Sequence, residues 1–501
     1  MTVSYIGSIS SPMLQSILGM RSQLDNLQRQ LGSGVKSTTY AGLGTNRGIA
    51  LSLHAQQSAL SSYDSTIKIV GVRLAAAQQI LTGADSAVNT VKQAANSGQF
   101  QIDRTGQTQD QKTAYAQLDQ LLSSLNTQVG NRYLFSGTAT DQPAVADTNT
   151  IVNGDGIRAG LKQIMSERNQ ADLGADGLGR LTLTNPTATS VAVSEDAVSP
   201  FGLKIGAVNS TLSNATVTGP SAPPASVGID FSANPNAGEQ ITIGFTLPDG
   251  TTQNLTMMAT ATSPAGRNQF LIGATPDETA TNLKNALAAS VVQIGATSLT
   301  AASAVRASKD FFNTDSTHPP QRVDGPPFDT ATALKDGTAA DTVTWYLGEA
   351  GSAPARSTAA AEIDPSLSIS YGLRANEDGL RNAIQSIAVF AAASFSVGDP
   401  NAQDAYSALT TRVTQALNGG PGQQKISDIE TDLARAQTAS KSAQSRHQQT
   451  SNMLTDMLHN IEGVSQDEVG VRILSLQTSL QASLQTTAML SQLSLVNFLG
   501  K

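Results

Sequence analysis

The sequence predicts a mainly α-helical protein in which both chain ends form an antiparallel bundle of long helices around an inserted α+β, β-rich outer region. Three observations predict it. Apolar residues recur at alternating steps of three and four over both ends of the 501-residue chain. Between about Thr138 and Ser370 that period gives way to short apolar alternations broken by Gly, Pro, Asn and Asp. The order is symmetrical: terminal helix, long helix, large middle, long helix, terminal helix, so the chain leaves and returns along one rod.

At the N-terminal end, Met13, Ile17, Met20, Leu24, Leu27 and Leu31 step by 4, 3, 4, 3 and 4, and Gly32-Ser33-Gly34 supplies a helix stop. A loop containing Gly42, Gly44 and Gly48 follows. The seam restarts at Tyr63, Ile67, Val70, Leu74, Ala77, Leu81, Ala84, Val88, Val91 and Ala95, and extends back through Leu60, Leu53 and Ile49. Such a helix covers about 50 residues, or about 75 Å. A third helix carries Tyr115, Leu118, Leu122, Leu125 and Val129 before Gly130. At the other end Ile426, Ile429, Leu433, Ala436, Ala443, Leu454, Met457, Ile461 and Val464 share one seam with Ser440, His447 and Thr450 between them. A final helix carries Val469, Ile473, Leu476, Leu480 and Leu484, then an evenly apolar end through Leu490, Leu493, Val496, Phe498 and Leu499. Short helices with one apolar stripe are marginal alone in water. The eleven residues Met13 to Leu31 and Val469 to Leu484 on these two stripes are therefore the expected assembly interface.

In the middle, Ile241–Phe245 and Asn254–Met257 flank Pro248-Asp249-Gly250, a hairpin pattern, and Thr275-Pro276 opens a helix through Leu283 and Leu287 to Val291. Gly179–Thr184, Ser190–Val193, Val343–Tyr346 and Leu367–Ser370 read as further strands. The Pro-rich stretches Gly219–Pro224 and His318–Pro327 read as linkers or exposed loops, and subdomain edges are placed there. The expected domains are 1–44 with 465–501, 45–140 with 370–464, and 141–369.

The chemistry-bearing residues are sparse. There is no Cys, which excludes thiol catalysis, disulfides and thiolate-bound metal. With 31 Lys and Arg against 39 Asp and Glu, the net charge of −8 opposes attraction to nucleic acid or anionic lipid. His54, His318, His447 and His459 lack metal-ligand spacing, and the glycines at 42, 44 and 48 lack dinucleotide-binding spacing. Asp172, Asp176, Glu195 and Asp196 read as turn residues that accept local backbone N–H groups. No catalytic residue, metal or cofactor is expected, and the chain is read as a non-enzyme. No run approaches 18 continuous apolar residues, so no membrane insertion is expected. Met1–Gly19 lacks the pattern of a cleaved secretory signal.

Two blocks at the N-terminal side and two at the C-terminal side resemble the bacterial flagellin superfamily. Leu27-Gln-Arg-Gln-Leu-Gly-Ser-Gly34, with its Gly- and Thr-rich loop and long helix, is similar to the flagellin N-terminal pattern. Val129-Gly-Asn-Arg-Tyr-Leu-Phe-Ser-Gly-Thr138, Leu480-Gln-Ala-Ser-Leu484 and the ending Leu493–Leu499 are most similar to the hook-associated branch that joins hook to filament. The long middle is more like a filament flagellin. The resemblance covers about residues 1–140 and 370–501. It implies terminal helices forming an inner tube, long helices forming a shell and the middle projecting outward. It also implies extracellular location in a flagellum, after largely unfolded passage through the flagellar type III export apparatus without signal cleavage. The implied partners are copies of itself or flagellin-like subunits in a ring or tube, hook protein, a neighbouring hook-associated protein, filament flagellin, and an export chaperone on the C-terminal helices.

Overall fold

The structure is a computed structural model that describes residues 4–499 apart from 222, 316 and 352. Side chains 4–11, 491 and 493–499 lie outside the description, and with them the evenly apolar C-terminal end. Contacts divide the chain into two compact units, the first comprising Met1–Val70, Glu362–Ser368 and Thr438–Lys501, the second Gly71–Ala361 and Ile369–Gln437. The long helices α2 (Arg47–Asn96) and α10 (Ile426–Glu462) contribute residues to both.

In the first unit, α1 (Ser4–Ser33) ends where Gly34, at φ 71°, donates its N–H to the Gln30 carbonyl at 2.8 Å. A 3-10 turn at Tyr40–Asn46 leads into α2. The first part of α2 runs antiparallel to the last part of α10: Gln57 Nε2 donates to Thr455 Oγ1 at 3.2 Å and His54 Nε2 lies 3.0 Å from Glu462 Oε1. Further along, His447 Nδ1 meets Asp64 Oδ1 at 2.9 Å. Ala50, Leu53, Leu454 and Leu458 form the buried cluster between them. α11 (Gln466–Leu499) packs on α1.

The second unit holds a helical part and a β-rich module. α3 (Gln109–Leu125) starts with a capping box in which Thr108 and Gln111 exchange bonds, because Thr at the cap and Gln three residues on satisfy two orphan N–H groups. Gln111 Nε2 also donates to the carbonyls of Phe390 and Ala393, so one buried side chain starts α3 and finishes α8 (Asp378–Ala392). α4 (Thr148–Asn153), α5 (Leu161–Leu173), α7 (Thr300–Phe312) and α9 (Ala402–Asn418) complete this part, with α7 touching α5, α8 and α9.

The module lies between α5 and α7. One antiparallel sheet has the order β1-β2-β5-β4 (Leu181–Thr184, Ser190–Glu195, Ser226–Phe231, Ala215–Thr218). The other has the order β3-β6-β7-β8 (Lys204–Ser210, Gln240–Thr246, Thr252–Thr260, Gln269–Leu271), with only β7 and β8 parallel. α6 (Pro276–Ile294) packs on both sheets, burying Leu283, Leu287 and Val291 against Val193, Ile229, Ile243 and Met257. A π-helical turn at Gly295–Leu299 joins α6 to α7. Gly295 is required there, since a Cβ on it would sit 2.8 Å from the Gly177 carbonyl. The module's entry at Gly177 and its exit at Gly295 thus touch. Short pairs β9/β10 (Gln321–Val323, Leu334–Asp336) and β11/β12 (Ala360–Asp364, Leu367–Ser370) follow in the chain.

Several sequence expectations agree with this. The 240–260 hairpin closes over Asp249-Gly250, with Gly250 at φ 85°, and Thr275 caps α6 through the Glu278 N–H. Others need correction. Ala50, Ala87 and Leu458 are buried, whereas Ile49 and Met457 are exposed and Val88 is only half-buried. An α-helix has 3.6 residues per turn, so a seam chosen at 3.5 drifts by a residue over many turns. α3 ends at Leu125, and Val129 instead pairs across a tight turn with Arg132. Val343–Tyr346 is no strand. The Trp345 carbonyl accepts from the Ala146 N–H and the Leu347 N–H donates to the Ala144 carbonyl around an isolated bridge, while the Val343 N–H donates to the Ala159 carbonyl, so the partner changes too soon for a ladder. The described residues of Gly219–Pro224 form an exposed loop between the paired strands β4 and β5 of one sheet, as the loop reading has it, and His318–Pro327 contains β9, so neither marks a subdomain edge. No continuous apolar run reaches 18 residues, yet the helical stretch Pro276–Phe312 is on average long and apolar enough to cross a membrane. Half of that window is buried in the protein, mostly as the core face of α6 and α7.

Asp172 is not a turn residue. It is fully buried on α5, pairs with Arg168 Nε at 2.7 Å, and accepts from the Gly202 N–H at 2.8 Å and Ser303 Oγ at 2.7 Å. It therefore ties α5, the module and α7 together. Asp176 does serve a turn, accepting from the Leu178 N–H. Glu195 lies on β2 and accepts from the Ile205 N–H, while Asp196 pairs with Arg180.

Asp172→Ala leaves the Arg168 guanidinium buried without its carboxylate, and is expected to cost about 3–5 kcal/mol. Urea unfolding followed by the fluorescence of Trp345, the chain's one tryptophan and fully buried, checks this; an unchanged midpoint would show that the network contributes nothing. Joining Gly177 to Gly295 through a short Gly-Ser linker removes the module at its touching ends. This excision is expected to keep the Trp345 environment and a cooperative melt. Removing 141–369 takes away α5 and α7, against which α8 and α9 pack, and should lose cooperative folding of the second unit.

Candidate assembly surface

The end of α1 and the start of α11 meet at one clasp. Val35 bridges Gly463 in antiparallel fashion, Lys36 N–H donates to the Glu462 carbonyl at 2.6 Å, and Val464 N–H donates to the Gly34 carbonyl at 3.1 Å. Lys36 Nζ donates to the carbonyls of Asn460 at 3.0 Å and Ile461 at 2.7 Å. These are the orphan carbonyls at the end of α10, and a cation there also complements the helix dipole. The clasp sets the end of α1 and the start of α11 side by side.

From it α1 and α11 pair. Met13, Ile17, Met20, Leu24 and Leu27 form the half-buried stripe of α1, and Val469 and Ile473 are buried on α11, with Leu476 and Leu480 half-buried beyond them. Leu27 and Leu476 line the same groove. These expected interface residues thus already have a partner within the single chain. Leu31 and Leu484 do not join the stripe. They are 39% and 44% exposed, and Gln30 and Ser483 take the inward places because the helical step carries the seam there.

The outward faces hold what the sequence reading missed. Leu14 and Leu18 on α1 are 60% and 57% exposed, and Val471, Leu474 and Met489 on α11 are exposed by 66%, 65% and 60%. Their signal was the doubling of apolar residues at 13/14, 17/18 and 473/474, where a one-sided helix needs only one of each pair. Large apolar side chains left in water on adjacent helices form a surface that gains free energy on being covered.

Along α10 the seam includes a polar station. His447 is buried, between Asp64 Oδ1 at 2.9 Å and Asp364 Oδ2 at 3.9 Å, and Arg446 holds Asp364 at 3.0 Å. Burial, aided by the Glu362 and Asp364 carboxylates, pushes the neighbouring Tyr63 phenol up. The second-unit residues of the 129–138 block serve packing and turns: Phe135 and Ser136 are buried, and the Phe135 carbonyl accepts from Ala375 N–H at 2.9 Å.

A cleft of about 760 Å³ lies in the second unit. Several of its charged side chains are spent on one another, Arg356 on Glu377, Arg381 on Asp378 and His318 on Asp315, and Arg374 donates to the Gly351 carbonyl. Burial pushes the Glu377 carboxyl up, against the pull of Arg356. Among the described residues no group of three or more His, Asp and Glu is placed to hold a metal.

Lys36→Met removes the side-chain donor to the end of α10. Amide exchange is expected to quicken in the last turn of α10 and across 34–36 and 463–464, with α3 unchanged; equal protection in both proteins would show that the clasp does not rest on Lys36.

No curated relative matches the chain. Residues 8–140 match the protein-family model described as the bacterial flagellin N-terminal helical region. The matched stretch takes in α1, the 3-10 turn, α2, α3 and the turn segment up to Thr140. Over residues 8–140 the chain is thus similar to the N-terminal helical region of the bacterial flagellins.

Proposed function

We propose that this protein is a structural subunit of the bacterial flagellum, a hook-associated protein at the hook–filament junction that assembles through its terminal helices. The observation that carries the assembly reading is the pair of adjacent helices with apolar faces on both sides, lying in or beside the flagellin-matched region. The inner stripes hold α1 to α11, and the outer ones, Leu14, Leu18, Val471 and Leu474, are left for a neighbouring subunit. Each such side chain gains about 1.5–3 kcal/mol on full burial. A ring or tube repeats that gain in every subunit, so weak individual contacts add to a stable assembly.

The junction role rests on the resemblance of Val129–Thr138 and of the C-terminal blocks to the hook-associated branch. The length of the inserted module favours the second reading, a filament flagellin with the same assembly mechanism. On either reading the protein is no enzyme. Its partners are other subunits in the ring or tube, hook protein and a neighbouring hook-associated protein on one side, and filament flagellin on the other. Before that it meets an export chaperone and the flagellar type III export apparatus, and its place of work is outside the cell.

Electron microscopy of a deletion strain separates the two readings: bare hooks that shed soluble flagellin support the junction role, and the absence of filament subunit itself supports the filament role. Hooks carrying normal filaments would overturn both. Leu18→Asp and Leu474→Asp place charges on the outer faces only. The secreted variants are expected to melt as the unaltered protein does and to fail to join a flagellum, because burying an unpaired charge at each contact costs several kcal/mol. Normal incorporation of both would remove the outer faces from the assembly.

A further inference from the structure

The second unit contains a cleft of about 400 Å³ whose lining includes two guanidinium groups and no carboxylate. Arg73 projects from α2, where Leu74 and Ala77 form the buried floor, and its Nη1 donates to the Tyr371 hydroxyl at 3.1 Å. Arg132 lines the same cleft. It follows a two-residue turn in which Gly130 and Asn131 both have positive φ, 63° and 59°, while Val129 N–H donates to the Arg132 carbonyl at 2.9 Å. Positive φ at both central positions is the geometry that closes a tight hairpin, so Arg132 is presented from a fixed turn rather than a loose loop. The remaining polar lining consists of hydroxyls, among them Tyr133, Thr138, Thr140 and Thr358.

This pattern is unusual for this unit. Its other part-buried arginines mostly face a carboxylate within the chain: Arg168 faces Asp172, Arg180 faces Asp196, Arg322 faces Glu167, Arg356 faces Glu377, and Arg412 faces Asp249. Arg73 is half-buried and Arg132 exposed, and neither has a carboxylate within ion-pair distance among the described residues. A half-buried guanidinium beside hydroxyls in a cleft is poised for a planar, bidentate acceptor. The chain as a whole carries the opposite excess, 39 acidic against 31 basic residues.

We propose that the Arg73/Arg132 cleft receives a carboxylate side chain of a second copy of this protein, and so sets the register of neighbouring subunits. The inference deepens the assembly reading and rests on it. The terminal helices supply non-directional apolar contact, which tolerates sliding. A carboxylate held between two guanidiniums fixes one position, and it adds a salt-sensitive term to an otherwise apolar association.

The test uses the full chain. Self-assembly of the unaltered protein is followed by sedimentation at increasing NaCl, beside Arg73→Gln, Arg132→Gln, the double variant and Arg132→Lys. The expected result is a critical concentration that rises with NaCl for the unaltered protein. At low salt the double variant should require at least about tenfold more protein, with a flattened salt dependence, and Arg132→Lys should recover part of the loss. Thermal unfolding of all monomers should coincide. A double variant that assembles at the same concentration with the same salt dependence overturns the proposal. If the unaltered protein does not assemble at any salt, the assembly reading fails by itself. The cleft is then judged by titrating monomer with glutarate and with inorganic phosphate while observing arginine Nε–H resonances by NMR. Shifts with glutarate that the double variant lacks retain a carboxylate site. Equal shifts with phosphate make it a general anion site, and no shift with either overturns it. Both of these last outcomes remove the second copy as occupant.

Discussion

The arrangement of the first unit depends on the clasp between Gly34–Lys36 and Glu462–Val464. Two segments more than 400 residues apart in sequence exchange backbone hydrogen bonds there, and Lys36 closes the carbonyl end of α10. Bringing such distant segments together carries an entropic cost that grows only slowly with loop length. A few charge-assisted bonds and one long helical seam are therefore enough to offset it. Once the clasp holds, the end of α1 lies beside the start of α11, and their inner stripes meet without further instruction.

The seam that leads to the clasp mixes small residues with the larger Leu53, Leu454 and Leu458. Ala50, Ala443 and Ser440 are buried in the first unit, with His447 as the one bulky polar member. Small side chains allow close approach of long helices but contribute little apolar area each. Strength then comes from length, and specificity from the few polar crossings: His54 to Glu462, Gln57 to Thr455 and His447 to Asp64. A helix that slid by one turn would separate all three pairs at once. The same logic holds in the second unit, where Thr82 Oγ1 reaches Glu430 at 3.2 Å.

The module is held differently. Its own core is large and mainly aliphatic around Phe231, Phe245 and Phe270, and it is fastened to its surroundings by charge. Arg412 on α9 grips Asp249 in the β6–β7 turn at 2.7 Å, and Arg168 and Asp172 hold the Gly202 region. The Asp249 carboxylate also accepts from Thr251 N–H and Oγ1, so the turn that shapes the hairpin also presents its docking group. An insertion with touching ends and its own core can vary in size with little effect on the helices that carry it, which fits a subunit whose ends do the assembling.

The sequence by itself determined the long helices of both chain ends, α3 and α6, because period and capping are local properties, whereas the short buried helices α4, α5, α7, α8 and α9 were not read from it. Gln466–Leu499 and Arg47–Asn96 were legible from apolar spacing, the Asp249-Gly250 hairpin from turn chemistry, and the Thr275 cap from its Pro and Glu followers. It also identified most of the α1 and α11 stripes. The tertiary structure decided which of two adjacent apolar residues faces inward: Ala50 rather than Ile49, Leu458 rather than Met457, Ile473 rather than Leu474. It also made Asp172 a buried hub, left Arg73 and Arg132 without a carboxylate, and turned Lys36 into a helix clasp. Local pattern fixes a helix's period, but its phase is set by the partner it packs on, and a charge acquires its role only from groups that the fold brings beside it from elsewhere in the chain.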